Sequence, residues 1–133
     1  IIPFIVTIIG IIALISRPSF ETSWSQYNQM EIEYFEKNNV AYFIDVTAKW
    51  CITCQTNKIT VLNKQSIQAK FKSNNIKLIQ ADWTNNNPAI TSLLKRFNQI
   101  SIPTYIYFDG QSHIILSNIL TTNDIERLFK WHY

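Results

Sequence analysis

The chain has 133 residues, of which 47% are hydrophobic and 16% are charged, and its formal net charge is +3. This apolar fraction is enough to fill the core of one compact domain and is too high for a disordered chain. With only two glycines, Gly10 and Gly110, the sequence excludes the glycine-rich loops that bind nucleotide phosphates. The basic residues are scattered singly, so nucleic acid is not an expected partner.

The chain opens with an uncharged apolar segment, residues 1–16, followed at once by Arg17 and Pro18. As a helix it would reach about 24 Å, short of the roughly 30 Å hydrocarbon core of a bilayer. We interpret residues 1–16 as the C-terminal part of a transmembrane helix and residues 17–23 as a linker. Because the chain starts with Ile, we expect it to be a fragment of a longer membrane protein. The alternatives are a signal peptide and a buried core helix. Against a signal peptide, the sequence has no basic n-region and no cleavage site before Arg17.

The domain that follows, residues 24–133, is predicted to open with an amphipathic helix. Asn38-Asn39 is expected to end this helix. Its apolar residues recur at helical spacing and are Tyr27, Met30, Tyr34 and Phe35.

Residues 40–47 predict the first strand, because they are rich in β-branched and aromatic residues. With one charge, Asp45, in an apolar run, this strand is expected to be central and buried on both faces. The pattern then turns helical through Leu62. Residues 63–66 offer a break and a new cap before a second helical segment.

Strands and helices alternate through the rest of the domain. Residues 76–81 predict a strand, and Asn87 caps a helix with Pro88 in its first turn. The apolar face of that helix is Ile90, Leu93, Leu94 and Phe97.

Residues 104–108 and 113–117 predict two strands joined by a turn at Asp109-Gly110. Asn123 with Glu126 resembles a capping box that opens a last helix. Its apolar face is Ile125, Leu128 and Phe129. The order α β α β α β β α predicts an α/β fold with a mixed sheet and helices on both faces, since helical crossovers make strands parallel and the hairpin adds an antiparallel edge.

A Cys-x-x-Cys pair, Cys51 and Cys54, stands where the buried strand ends and a helix begins. The positive helix end stabilises a thiolate, so Cys51 is the expected nucleophile, and Cys54 can attack the resulting mixed disulfide. Zinc would need two further ligands, and the candidates His113 and His132 fit no finger spacing. A purely structural disulfide is disfavoured because so short a loop removes little entropy from the unfolded chain.

Three other residues are candidates for the same site. Asp45 lies six residues before the first cysteine, where burial would raise its pKa and let it accept or return the proton of the second cysteine. The alternative is an Asp on a solvated strand edge. Trp50 either covers the sulfurs or belongs to the core. Pro103 follows Ile102 at the start of a strand, and the sequence alone does not show whether that bond is cis.

The segments VTAKWCITCQTNK, ADWTNNNPAITSLLKRF and IPTYIYFDG resemble the C-terminal domain of DsbD-type transmembrane thiol:disulfide interchange proteins, over about residues 24–131. The resemblance implies a thioredoxin fold and protein-disulfide reductase activity. It also implies that Cys51 and Cys54 are the redox pair, that Asp45 tunes them, and that Pro103 is cis. It requires no cofactor besides the redox-active disulfide, and no metal.

The resemblance further implies where the domain works and with which partners. It would face the periplasm at the bacterial inner membrane, held there through residues 1–16. A membrane-embedded cysteine domain of the same protein would supply electrons. Periplasmic thiol–disulfide proteins, including disulfide isomerases and cytochrome c maturation proteins, would receive them, and their extended segments would bind beside Trp50, Ile102 and Pro103.

One position departs from the family pattern. Many relatives carry a glutamate seven residues after the first cysteine, and this chain has Lys58 there. Because a cation favours a thiolate, we predict a more acidic Cys51 thiol than in those relatives. Two functions remain as alternatives: a stand-alone membrane-anchored thioredoxin-like protein for cytochrome c maturation or disulfide oxidation, and a redox-inactive thioredoxin-fold binding module.

Overall fold

The computed structural model describes residues 24–130, and the predicted membrane segment (residues 1–16) and linker (residues 17–23) lie outside the described residues. No helix within residues 24–130 is long and apolar enough to span a bilayer. The elements, in chain order, are β1 (Ser25–Gln26), α1 (Gln29–Lys37), β2 (Tyr42–Thr47), α2 (Ile52–Asn57) continued by a π-helical turn (Lys58–Leu62), α3 (Gln65–Ser73), β3 (Lys77–Asp82), α4 (Pro88–Arg96), β4 (Thr104–Phe108), β5 (His113–Leu116) and α5 (Thr122–Leu128).

The strands form one mixed sheet in the order β1-β3-β2-β4-β5. β2 pairs in parallel with β3 and antiparallel with β4, and β4 pairs antiparallel with β5. The predicted α/β architecture is therefore confirmed, with β2 at its centre. The short strand β1, which pairs with Ile79 and Gln80, was not predicted, because a strand of two residues is too short to show a periodic pattern.

The core lies on both faces of β2, whose six residues are all buried. Alternate side chains point to opposite faces of a strand, so Tyr42 and Ile44 pack with the apolar faces of α1 and α4, while Phe43 packs with those of α3 and α5. This arrangement confirms the predicted central strand. The loop that leads to α2 leaves the core at the C-terminal end of β2.

The apolar face predicted for α1 was partly wrong. Met30 and Tyr34 are exposed, and the side chains that α1 buries are Ile32 and Phe35. Ile32 stands between two glutamates, so a prediction based on neighbouring apolar residues did not include it. The predicted stop is confirmed, because Asn38 caps the helix and Asn39 adopts a left-handed φ of 55°.

Two other local predictions also differ from the structure. The capping box of α5 joins Thr121 to Asp124, so the predicted box of Asn123 with Glu126 was wrong. Both pairs have the three-residue spacing, and in the structure the side chains of Thr121 and Asp124 make the reciprocal hydrogen bonds. The break after the π-helical turn is present, but α3 begins without a side-chain cap.

Candidate functional site

The two cysteines lie in the turn that carries the chain from β2 into α2. Cys51 occupies the N-cap position of α2, and its backbone N–H donates to the carbonyl oxygen of Ala48 at 3.2 Å. Its Sγ accepts a hydrogen bond of 3.2 Å from the backbone N–H of Cys54, to which it is joined in a disulfide. The predicted placement at the positive end of a helix is confirmed, and this environment favours a thiolate on Cys51.

The two sulfurs differ in access. Cys51 is 7% exposed and Cys54 is fully buried. Both pack with Ala48, and the half-buried Ile102 contacts this cluster from the loop before β4. Of the two cysteines, Cys51 is therefore the one that a partner's disulfide can approach. Cys54 is shielded from partners by the domain.

The loop after β3 braces the turn that precedes Cys51. The hydroxyl oxygen of Thr84 accepts from the backbone N–H of Lys49 at 3.0 Å, and its carbonyl oxygen accepts from Nε1 of Trp50 at 3.1 Å. Asp82 in turn accepts from the backbone N–H and the hydroxyl of Thr84, and these hydrogen bonds lower its pKa. The Ala-Asp-Trp-Thr segment, residues 81–84, contributes to the family resemblance, but its bracing role was not predicted from the sequence.

Trp50 is 58% exposed, so the alternative that it belongs to the core was wrong. Its ring lies 6.4 Å from that of Trp83, whose Nε1 donates to the hydroxyl of Thr91 at 2.9 Å. Ile52 and Ile100 are also exposed apolar side chains, the first adjoining Cys51 in the chain. Trp50 and Ile52 thus flank the accessible sulfur with apolar surface.

The peptide bond between Ile102 and Pro103 is cis. This observation answers a question that the sequence left open. Pro103 is buried, and Ile102 reaches the cysteine cluster. The structure therefore places this bond at the same site as the disulfide.

Asp45 is only 2% exposed, so the alternative of a solvated strand edge was wrong. Desolvation by burial raises its pKa from 3.8 to about 7, an effect that the positive charge of Lys58 partly offsets. Its Oδ1 is buried and has no hydrogen-bond partner. A buried carboxyl group with a pKa near neutrality can take up and release a proton under physiological conditions.

Lys58 lies one turn after Cys54, and its backbone N–H donates to the carbonyl oxygen of that cysteine. Residues four apart share one side of a helix. Lys58 and Asp45 both line a cavity of about 190 Å³ beneath this helix. Asp45 therefore shares a cavity with the π-helical turn that continues the cysteine helix.

Sequence reasoning also missed two buried polar residues near the pair. Asn57 donates through Nδ2 to the hydroxyl of Tyr105 at 2.8 Å and to the carbonyl oxygen of Asn118 at 2.9 Å, which ties α2 to β4. Thr47 follows Asp45 on the same face of β2, and its buried hydroxyl has no hydrogen-bond partner. Thr47 stands at the end of an apolar run, whereas Asn57 lies among polar residues and gives no signal in the sequence.

His113, one of the two histidines that the sequence offers as zinc ligands, interacts with other residues. Its Nε2 lies 3.0 Å from Oε1 of Glu36 and 3.0 Å from the hydroxyl of Tyr42. His132 lies outside the described residues. Within residues 24–130, no three or more His, Cys, Asp or Glu side chains are grouped as metal ligands.

Comparison with known proteins identifies similar sequences and folds. A sequence profile described as thioredoxin-like matches residues 23–110. The protein named "Thiol:disulfide interchange protein DsbD" is 32% identical over 78 residues in Haemophilus influenzae and 33% identical over 78 residues in Yersinia pestis. Each match covers 59% of this chain and 13% of the relative, so the chain spans about an eighth of the length of these relatives.

Solved structures share the fold at low sequence identity. The oxidised C-terminal domain of DsbD from Neisseria meningitidis matches with a TM-score of 0.63 and 18% identity, covering 80% of this chain and 97% of that domain. A thioredoxin from Thermus thermophilus matches with a TM-score of 0.57 and 13% identity, covering 80% of this chain and 84% of that one. Both comparisons confirm the predicted fold.

Proposed function

Because this chain belongs to the thioredoxin-like family, and its redox group is the disulfide between Cys51 and Cys54, we propose that it is a protein-disulfide reductase domain. The observation that carries this proposal is the asymmetry of the pair. Cys51 keeps some exposure at a helix N-terminus, whereas Cys54 is fully buried, and the strand that leads to the pair carries the buried Asp45, whose pKa is raised to about 7. A purely structural disulfide would need neither the access nor the carboxyl group.

The reaction consists of two exchange steps. In the reduced domain the Cys51 thiolate attacks a partner's disulfide, forms a mixed disulfide with one of its sulfurs and expels the other as a thiolate. Cys54 then loses its proton to Asp45, attacks Cys51 and expels the partner's second sulfur. Two electrons pass to the partner, and the domain is left with its own disulfide.

The partners that we propose follow from the similarity to thiol:disulfide interchange proteins. A membrane-embedded cysteine domain of the same protein would reduce this domain. Periplasmic thiol–disulfide proteins, including those of cytochrome c maturation, would then be reduced by it. Residues 1–16 would hold it at the bacterial inner membrane, facing the periplasm. The 32% identity to the Haemophilus influenzae protein supports this relay.

The surface that we propose for partner binding surrounds the accessible sulfur. Trp50 presents an exposed ring, Ile102 contacts the cysteine cluster, and the cis bond to Pro103 adjoins it. An extended segment carrying a disulfide would lie across these three residues. The family resemblance and their common position support this role.

The direction of electron flow can be tested in cells. Free thiols are alkylated in acid-quenched cells with a reagent that adds mass, and the chain is then resolved on a gel. A reductase that receives electrons from a membrane domain should carry mainly reduced Cys51 and Cys54. A chain found fully oxidised would favour the oxidant alternative and contradict the proposal.

Lys58→Glu is expected to raise the pKa of the Cys51 thiol by about half a unit to one unit, because a carboxylate opposes the thiolate that a cation favours. The thiol pKa is measured from the absorbance of the thiolate during titration of the reduced protein. Lys95→Glu, an exposed change on α4 with the same charge, serves as the control. If the Cys51 thiol has the same pKa in Lys58→Glu as in the control, Lys58 does not act on that thiol.

A further inference from the structure

Basic side chains that are scattered along the sequence meet at one end of the folded domain. The strands β2 and β3 start at this end, where Lys77 is the first residue of β3, and β4 ends there. The helices α1 and α3 run back to it, because each connects two parallel strands. The helix α5 reaches it as well, since Arg127 lines one cavity with Asn39, before β2, and Gly110, after β4.

The helix macrodipole explains why this end is basic. A cation is stabilised beside the negative, C-terminal end of a helix. The last turns of α1, α3 and α5 carry basic residues, whereas Glu31 and Asp124 stand in the first turns of α1 and α5. Because these three helices end together, their cations collect at one end of the domain. With two neighbouring lysines they form the basic end, which consists of Lys37, Lys70, Lys72, Lys77, Arg127 and Lys130.

Few carboxylates offset this charge. Within residues 24–130, the carboxylates at the basic end are those of Glu36, Asp109 and Glu126. Arg96 donates to both carboxylate oxygens of Glu36, at 2.8 and 3.0 Å, and so neutralises that group. Asp109 accepts from the backbone N–H groups of its own turn, at 2.7 and 2.8 Å. The basic end therefore carries an excess of positive charge.

The chain enters the described domain at the same end. β1 runs parallel to β3, with Ser25 opposite Ile79, so the residues before β1 join it at the end where Lys77 begins β3. Residues 1–16 are uncharged and apolar, and the proposed function holds the domain at a membrane through them. Residues 17–23 reach at most about 25 Å when fully extended. A tether of this length keeps the basic end as the part of the domain nearest to the bilayer.

We propose that the basic end docks on the anionic headgroups of the membrane that anchors the chain. This inference rests on the membrane attachment in the proposed function. Lysine and arginine side chains near a bilayer with anionic lipids are attracted by its negative surface potential. Cys51 lies at the opposite end, because it follows the C-terminal end of β2. Docking therefore turns Cys51 away from the bilayer and toward partners outside the membrane.

Docking through surface charge is reversible. Each such contact contributes modestly, and salt screens it. The domain can therefore leave the headgroups and turn Cys51 toward a membrane-embedded cysteine domain. The docked state is then the one that donates electrons to partners, and the released state is the one that receives them.

The test places the 133-residue chain in vesicles of phosphatidylcholine, alone or mixed with phosphatidylglycerol, with a fluorescence acceptor on some headgroups. A donor dye is attached at Ser73→Cys, at the end of α3, or at Asn123→Cys, at the start of α5. Because Cys51 and Cys54 are joined in the disulfide, the dye reacts with the introduced cysteine. The two ends of β2 are roughly 20 Å apart. Docking should give more energy transfer from position 73 than from position 123, and this difference should require phosphatidylglycerol.

Lys37→Gln combined with Lys77→Gln removes two exposed lysines from the basic end. The ratio of docked to undocked chain should fall about 25-fold, since each lysine near an anionic surface strengthens binding about fivefold. Lys49→Gln combined with Lys58→Gln is the matched control. It removes the same charge from the Cys51 end and should leave the ratio nearly unchanged. Raising the salt concentration should release the wild-type domain.

Three results would each overturn the inference: equal energy transfer from the two dye positions, no dependence on phosphatidylglycerol, or an equal loss in the control pair. A basic end that ignores anionic vesicles but binds polyglutamate would indicate an acidic protein partner and would also overturn it. A chain that does not float with neutral vesicles would instead contradict attachment through residues 1–16. Flotation thus distinguishes a failure of the proposed attachment from a failure of docking.

Discussion

Replacing Cys51 with serine is expected to abolish disulfide reduction by this domain, a loss of roughly three orders of magnitude or more, as on removal of a covalent nucleophile. Cys51 is the sulfur that a partner can reach, because Cys54 is fully buried. The measurement is a single-turnover reduction of a cystine peptide by the pre-reduced domain. Retention of more than a small fraction of the wild-type rate in Cys51→Ser would show that another group attacks the substrate.

Cys54→Ser is the matched variant, and it tests the order of the two steps. Cys51 can still attack, but nothing resolves the mixed disulfide. We therefore expect the partner to stay covalently attached to Cys51 on a non-reducing gel. Capture by Cys51→Ser in place of Cys54→Ser would reverse the assigned roles.

Asp45→Asn is expected to make the oxidised domain more stable at pH 8, by roughly 4 kcal/mol. The pKa of Asp45 is about 7 in the folded domain against an ordinary value of 3.8. The folded state therefore holds a proton that the unfolded chain has released. The stabilisation from that proton is complete below about pH 4 and is lost as the pH rises through 7. The asparagine side chain cannot ionise, so the variant avoids this loss.

The measurement is urea denaturation of wild type and variant at pH 4 and pH 8. The stability difference between them should grow by roughly the stated amount over that interval. Asp82→Asn is the control of opposite sign, because hydrogen bonds from Thr84 lower the pKa of Asp82. A difference between wild type and Asp45→Asn that does not change with pH would show that Asp45 titrates normally.

The same variant should also slow the release of a partner from the mixed disulfide by about 100-fold at neutral pH, within the usual range for removing a general base. The first exchange step, which uses only Cys51, should change much less. Stopped-flow measurement of both steps separates them. Equal slowing of both would indicate a disturbed fold at the site.

The sequence predicts most of the fold because its strands carry strong signals. Residues 40–47 are apolar apart from Asp45 and Thr47, which marks a strand buried on both faces, and β2 is buried throughout. Asn87 with Pro88 is a specific helix start, and α4 begins there. Such local patterns determine which elements form, and the alternation of strands and helices determines how they connect.

Features set by contacts distant in sequence were harder to predict. Ile32 and Met30 are both apolar, and only the position of the sheet decides that Ile32 is buried and Met30 exposed. The residues of the site likewise differ in how well the sequence predicts them. The Cys-x-x-Cys spacing identifies Cys51 from the sequence alone, whereas the cavity shared by Asp45 and Lys58 forms only when β2, β3 and the π-helical turn come together.

The central claim is that Cys51 and Cys54 form a reversible couple that donates electrons to partners. Its most direct test is the equilibrium reduction potential of the pair, measured by thiol alkylation after incubation of the chain in glutathione buffers. We expect a two-electron couple at about −200 mV or lower, which suits a reductant. A potential near about −120 mV would mark an oxidant, and the absence of a reversible couple would leave only a binding module; either result would contradict the account.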